Sequence, residues 1–145
     1  MKLNGTHKFK ASSAQVYNAI LNPEILKNAI PGAQAVSYVA PNQLKADINV
    51  TAPLPGLRGL YEVYINIVNP QPNNHLELQV QRQGKVGKIN ASSVINLTDE
   101  TDGTLLSYNT TADLEGAVAV ANNPIGENFV KSGLSNFFKN LEKSL

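Results

Sequence analysis

The sequence predicts an α+β fold: an antiparallel sheet of about seven strands wrapped around a long C-terminal helix, with two short helices after strand one. Three observations predict it. Residues 33–114 alternate apolar and polar side chains in six runs separated by turn residues. The links between those runs are too short for crossover helices, so neighbouring strands should pair antiparallel. Only the helix after Asn123 is long enough to cover the apolar face of such a sheet.

The N-terminal part holds the first strand and both short helices. Residues 2–9 (KLNGTHKF) alternate as a strand does, and His7 falls in the apolar register. Ser12 with Gln15 makes a capping box for a helix over 12–21.

The second short helix lies in 22–32 (NPEILKNAIPG) and is bounded by prolines. Asn22 can accept from the first free N–H groups, and Pro23 suits the first helical position. Pro31-Gly32 ends the helix, since Pro31 disfavours helical dihedrals at Ile30. We expect this segment to close the corner between the sheet and the long helix.

Six further strands are predicted, each bounded by turn chemistry. They cover 33–40, 43–50, 59–68, 75–82, 86–97 and 103–114, and the separators are Pro41-Asn42, Pro53 to Gly56, Pro70 to Asn74, Gln83-Gly84 and the acidic DETDG of 99–103.

The final helix begins at Asn123-Pro124, a good cap and first position. Its apolar stripe consists of Val130, Leu134, Phe137, Phe138, Leu141 and Leu145. Gly126 and Gly133 lie on or beside the stripe, and each costs about 1 kcal/mol relative to alanine. They indicate either close approach of helix and sheet or room for a ligand.

Composition limits the possible functions. At 145 residues the chain is expected to be one domain over 1–145. A net charge of +1 without a basic cluster argues against nucleic-acid binding, and zero cysteines exclude disulfides and thiolate chemistry. No apolar run is long enough to span a membrane, and no signal sequence is evident, so a cytoplasmic protein is expected.

Few residues suit catalysis or metal binding. His7 and His75 are the only histidines, and neither has a second ligand at metal-binding spacing, so no metal is expected. His75 should be solvated in a turn. Arg58 and Arg82 could each grip a carboxylate or phosphate at a pocket mouth, or be exposed strand-end arginines.

Small residues in the middle of the strands indicate a hollow. The inward register carries small side chains between large ones on three strands: Ala46 on the third, Ala91 and Ser93 on the sixth, Thr110 and Ala112 on the seventh. Interiors are normally packed densely. Either the phenylalanines of the final helix fill this space, or it is an apolar ligand pocket. Tyr61 and Tyr108 share the inward register and are either core tyrosines or polar handles in that pocket.

The order of elements, with Asn22-Pro23-Glu24 followed by Ile30-Pro31-Gly32, resembles the START-like helix-grip (SRPBCC) superfamily, and more narrowly the CoxG family of carbon monoxide dehydrogenase. Further segments fit that family: PGLRGLYEV (55–63) through Gly56, Arg58 and Gly59, DGTLLSY (102–108), Gly116, and FF at 137–138.

The resemblance implies a hydrophobic cavity and an accessory role that connects a molybdenum-containing dehydrogenase with the membrane. We therefore expect no catalytic residue and no cofactor, but binding of an apolar or amphipathic small molecule, lipid-like or quinone-like, with peripheral contact at the inner face of the membrane. The residues expected to line the cavity are His7, Ile30, Ala46, Ile48, Tyr61, Val63, Ile65, Ala91, Ser93, Tyr108, Thr110, Phe129, Gly133 and Phe137.

Two other functions stay open. One is an enzyme of the same superfamily, a small cyclase or hydrolase in which His7 or Tyr108 acts as acid or base. The other is an interaction module with a filled core, which docks a partner through the end of the long helix and the Ile30-Pro31-Gly32 corner.

Overall fold

The computed structural model describes residues 1–51, 58–84, 87–116, 119 and 122–145. The elements in chain order are β1 (Lys2–Phe9), α1 (Ser13–Ile20), α2 (Pro23–Ala29), β2 (Ala33–Ala40), β3 (Gln43–Val50), β4 (Gly59–Gln71), β5 (His75–Gly84), β6 (Gly87–Glu100), β7 (Gly103–Glu115) and α3 (Pro124–Lys143). The predicted turn over Pro53 to Gly56 lies outside the described residues.

The seven strands form one antiparallel sheet in the order β1-β7-β6-β5-β4-β3-β2. Each hairpin from β2 to β7 therefore joins neighbours, while β1 completes the sheet by pairing with β7. The C-terminal part of α3 packs on the inward face through Phe138 and Leu141, with α1 beside it. The predicted α+β fold is confirmed.

Local sequence signals form the two short helices as expected. The Ser12 hydroxyl accepts from the backbone N–H of Gln15, whose side chain accepts from the backbone N–H of Ser12. The Asn22 carboxamide accepts from the N–H groups of Glu24 and Ile25 at 3.0 and 3.3 Å. Both caps satisfy donors that a helix start leaves free.

Gly32 forms the corner that follows α2. Its φ is +82°, a conformation that side chains other than glycine rarely adopt. Its carbonyl accepts from the N–H of Asn49 at 2.8 Å, which joins the corner to the end of β3. The predicted Pro31-Gly32 stop is confirmed, and it turns the chain directly into β2.

Two apolar clusters form the core. One lies under α1 and the end of α3, and its members Phe9, Val16, Leu76, Leu106 and Leu141 are completely buried. The second lies against β3 and β4 and includes Leu26 from α2. Large side chains therefore close one end of the space between sheet and helix.

Several strands are longer than predicted. β6 and β7 pair as far as Glu100 opposite Gly103, so the acidic DETDG segment contributes two strand residues and a two-residue turn at Thr101-Asp102. β4 continues to Gln71 through an irregularity after Val68. His75, expected in a turn, begins β5 and is half-buried, with Nδ1 2.7 Å from Oδ1 of Asn96.

A candidate ligand cavity

A cavity of about 650 Å³ lies between the inward face of the sheet and α3. Its lining comes from α1, α2, the corner at Pro31-Gly32, five strands and α3, and most of it is apolar. The volume falls within the range of about 300–1,000 Å³ typical of small-molecule sites.

The cavity exists because the sheet floor carries small side chains there. Ala91, Ser93 and Thr110 line it, and Ser93 and Thr110 are paired across β6 and β7. Their hydroxyl oxygens are 2.9 Å apart and hydrogen-bond to each other. Because this pair satisfies itself, the floor offers little polarity to a ligand.

The mouth lies beside the corner that follows α2. Pro31, Gly32, Asn49 and Thr51 line the cavity and are exposed, and across from them Phe129 of α3 is 36% exposed. The short helix between prolines therefore ends at the rim of the cavity, where its corner is held by the Asn49–Gly32 hydrogen bond.

A second apolar cavity of about 240 Å³ adjoins the first. The two share Val50, Ala91, Thr110, Phe129 and Val130, so together they form a continuous apolar space beneath the first half of α3. Tyr61 lines the second cavity, and burial raises the pKa of its phenol, while the nearby Arg82 cation opposes that shift.

Tyr108 places an aromatic ring at the inner part of the larger cavity. Its ring centroid is 5.3 Å from that of Phe138, and the ring covers Gly5 on β1. A Cβ added to Gly5 would lie 2.8 Å from the Tyr108 hydroxyl oxygen, so glycine at this position leaves room for the phenol.

Most of the predicted lining residues meet around these cavities. The larger cavity is bordered by Ile30, Ile65, Ala91, Ser93, Tyr108, Thr110, Phe129, Gly133 and Phe137, and the smaller by Tyr61. A Cβ added to Gly133 would find nothing within 4 Å, so close approach of helix and sheet does not explain this glycine.

Four predicted residues lie elsewhere. Ala46 and Val63 face each other across β3 and β4 and are buried in the second core cluster, against which Ile48 packs. His7 lies outside the cavities, with its ring 4.6 Å from that of Phe9 and 5.7 Å from that of Phe138. These residues have the predicted inward register, but neighbouring side chains cover them.

His7 instead contacts the end of α3. Its Nε2 is 3.4 Å from a carboxylate oxygen of Glu142, and the other oxygen of that carboxylate accepts from the backbone N–H of Lys10 at 3.3 Å. This contact joins β1 to the last turn of α3 at the packed end of the fold.

Sequence reasoning missed the contribution of β5. Leu78 and Val80 line the larger cavity, and Arg82 follows in the same register. Arg82 is half-buried, so the prediction of an exposed strand-end arginine was wrong for it. The period-two pattern of Leu76, Leu78 and Val80 could have identified all three positions.

The described part of the chain contains no group of three or more histidine, aspartate or glutamate residues that could hold a metal ion. Likewise, none of its helices is both long and apolar enough to span a membrane.

A curved antiparallel sheet around a C-terminal helix, with an apolar cavity between them, is the START-like helix-grip fold. A conserved protein from Geobacillus kaustophilus has a similar structure, with a TM-score of 0.90 and 28% identity over 99% of this chain and 94% of that one. A START superfamily protein from Mycobacterium smegmatis superposes with a TM-score of 0.72 at 17% identity, covering 99% of this chain and 95% of the other.

The fold is also similar to the di-domain ARO/CYC StfQ of the steffimycin biosynthetic pathway, with a TM-score of 0.70 and 11% identity over 98% of this chain and 49% of that one. No curated protein sequence matches the chain significantly. The chain belongs to the CoxG family of carbon monoxide dehydrogenase, whose family model matches residues 5–145.

Proposed function

We propose that this protein binds an apolar or amphipathic small molecule, lipid-like or quinone-like, in the cavity between sheet and α3, and that it does so without catalysis. The observation that carries the proposal is the apolar cavity of about 650 Å³, continuous with a second of about 240 Å³, in a CoxG-family chain. The family and the START-like fold support a ligand-binding accessory role in general.

The partner in this proposal is a molybdenum-containing dehydrogenase complex of the carbon monoxide dehydrogenase kind, as the family description suggests. The protein would carry its ligand between that complex and the inner face of the membrane. The exposed apolar residues Phe129 and Ile125, one turn apart on α3 and close to the mouth, suit transient contact with a membrane surface.

The position of His7 supports a binding function over catalysis. His7 packs between aromatic rings and beside Glu142, away from the cavities, and Tyr108 lines the larger cavity without a second titratable group of the described residues beside it there. Acid–base chemistry needs a titratable group held next to the substrate. The cavity is therefore better suited to holding a molecule than to converting it.

The direct test is uptake of a neutral apolar probe, N-phenyl-1-naphthylamine, whose fluorescence rises in apolar surroundings. Wild-type protein should bind it, and Ala91→Phe should reduce the affinity about tenfold or more, because the new ring occupies space that both cavities share. Asn90→Phe, with the same ring on the opposite face of β6, is the matched control and should bind as wild type does.

Stability separates a cavity from a filled core in the same experiment. Ala91→Phe should unfold at the same or a higher denaturant concentration, whereas overpacking a filled core would cost about 1–3 kcal/mol. Absence of probe binding by the wild type, together with an unstable Ala91→Phe, would refute the binding function and favour the interaction module. Retained binding in Ala91→Phe would place the probe elsewhere.

A further inference from the structure

Charged residues are nearly absent from the face of the sheet that looks toward α3. Among the described strand positions in the inward register, only Arg82 and Asp99 carry a fixed charge. Asp99 is exposed at the tip of the β6–β7 hairpin, at the packed end of the fold. Arg82 is half-buried near the end of β5, at the other end. Within the described strands, a single cation thus lies on an otherwise uncharged surface.

The contacts of Arg82 leave its charge without a carboxylate. Its guanidinium carbon is 4.5 Å from the ring centroid of Tyr61, and one nitrogen donates to the Gly87 carbonyl at 3.4 Å. No ion pair joins it to another residue within the described ranges, and residues 52–57, 85–86, 117–118 and 120–121 contain no Asp or Glu. A guanidinium has five N–H donors, so most of its hydrogen-bonding capacity is unused.

The surroundings of Arg82 are cavity walls. Val80, about 7 Å earlier on the same face of β5, lines the larger cavity. Ile89, directly opposite Arg82 on β6, and Tyr61, beneath its guanidinium, both line the smaller one. Arg82 therefore lies beside the apolar space and not among the charges of the outer surface.

Arg82 also lies at the open end of the fold. β3 ends at Val50, β4 begins at Gly59, β5 ends at Gly84 and β6 begins at Gly87, so these strand ends lie together. The exposed mouth residues Asn49 and Thr51 belong to the same end. A molecule that enters with its apolar chain first would leave its head group at the level of Arg82.

We propose that the ligand is an amphipathic acid, with a long apolar chain in the two cavities and an oxyanion head, a carboxylate or a phosphate monoester, held by Arg82. This inference rests on the proposed ligand-binding function and adds the chemical class of the ligand. The planar guanidinium matches both kinds of oxyanion through paired N–H donors. Partial burial strengthens the attraction relative to an arginine in open solvent.

The test compares three ligands with the same oleyl chain: oleate, oleyl phosphate and oleyl alcohol. Each is titrated below its aggregation concentration, as a competitor of N-phenyl-1-naphthylamine. For wild-type protein we expect at least one anion to bind about tenfold or more tightly than the alcohol, the size expected for a charge-assisted hydrogen bond. The ratio of oleate to oleyl phosphate shows which oxyanion Arg82 prefers.

Arg82→Met keeps the apolar part of the side chain and removes the charge, so the anions should fall to the affinity of the alcohol, which itself changes little. Lys88→Met is the matched control: it removes one positive charge from the outer face of the adjoining strand and should leave the preference intact. Arg82→Lys, which keeps the charge but loses the paired donors, should retain part of the preference. This conservative variant serves in place of Arg82→Met if the latter does not fold.

The outcomes are distinguishable. If the alcohol binds wild-type protein as tightly as both anions do, or if the preference survives Arg82→Met, the inference is overturned while the cavity function stands. If none of the three ligands nor the probe binds, the proposed function fails and this inference with it. An equal loss of affinity for all three ligands in Arg82→Met would mean that Arg82 only supports Tyr61, which also overturns the inference.

Discussion

The two ends of the sheet are built from the same strands, but one is packed and the other is hollow. At the packed end, Phe9, Leu76 and Leu106 are completely buried, and Phe138 and Leu141 of α3 fill the space above them. At the open end, the same inward register of β6 and β7 carries Ala91, Ser93 and Thr110, and a cavity of about 650 Å³ remains. Periodicity decides which residues face inward at both ends, and side-chain volume decides whether they pack or leave a cavity.

The hollow end is not a loosely built end. The β6–β7 ladder runs without a register shift from Lys88 to Gly103, past the small residues of the floor. The corner at Gly32 is hydrogen-bonded to Asn49. Backbone pairing therefore maintains the walls where side chains do not fill the interior, and most of the stability from apolar packing should come from the other end.

The largest expected effect tests that division on a single helix. Phe138 is 4% exposed at the packed end, and Phe129 is 36% exposed beside the cavity. Phe138→Ala should lower the free energy of unfolding by about 3–5 kcal/mol, the range for buried phenylalanine truncations. Phe129→Ala should cost about 1 kcal/mol or less. Urea unfolding measures both, and equal losses would break the comparison.

The next effect concerns the corner at the mouth. Gly32 has a φ of +82°, and an added Cβ would overlap the backbone oxygen of Asn49. Gly32→Val should therefore cost about 2 kcal/mol or more, from backbone strain and displacement of β3. Ser37→Val, an exposed change on β2, is the control and should stay within about 0.5 kcal/mol of wild type. If Gly32→Val is as mild as its control, the corner does not hold the open end.

The sequence predicted the fold well because its signals are local. The capping box at Ser12, the Asn22 cap and the period-two runs each act over a few residues and do not depend on distant contacts. Strand ends were the exception. Asp99 and Glu100 read as part of a loop, but the two-residue turn lets them pair with Thr104 and Gly103.

The cavity lining was harder to predict, because it depends on what lies above each inward position. Ala46 is as small as Ala91, yet Ala46 is completely buried in the cluster that Leu26 of α2 joins, while Ala91 lies under the first half of α3. His7 has the inward register too, but the path of α3 places Phe138 beside it. Residue type and period cannot supply these tertiary contacts.

The smallest effect concerns Gly133, where α3 passes over the cavity. A Cβ added there would meet no atom within 4 Å, and Gly133 lines the larger cavity. Gly133→Ala should raise the free energy of unfolding by about 0.5–1 kcal/mol, since it removes the entropic cost of glycine inside a helix. Thermal and urea unfolding of the ligand-free protein measure that gain.

A larger side chain at the same position sharpens the distinction between the two ends. Gly133→Leu should keep roughly wild-type stability, because its side chain enters the cavity, and it should weaken binding of N-phenyl-1-naphthylamine by occupying part of the site. At a packed end the same change would cost about 1–3 kcal/mol from overpacking. Destabilisation by Gly133→Ala itself would show that α3 approaches the sheet closely in solution, and the open end would then be packed like the other.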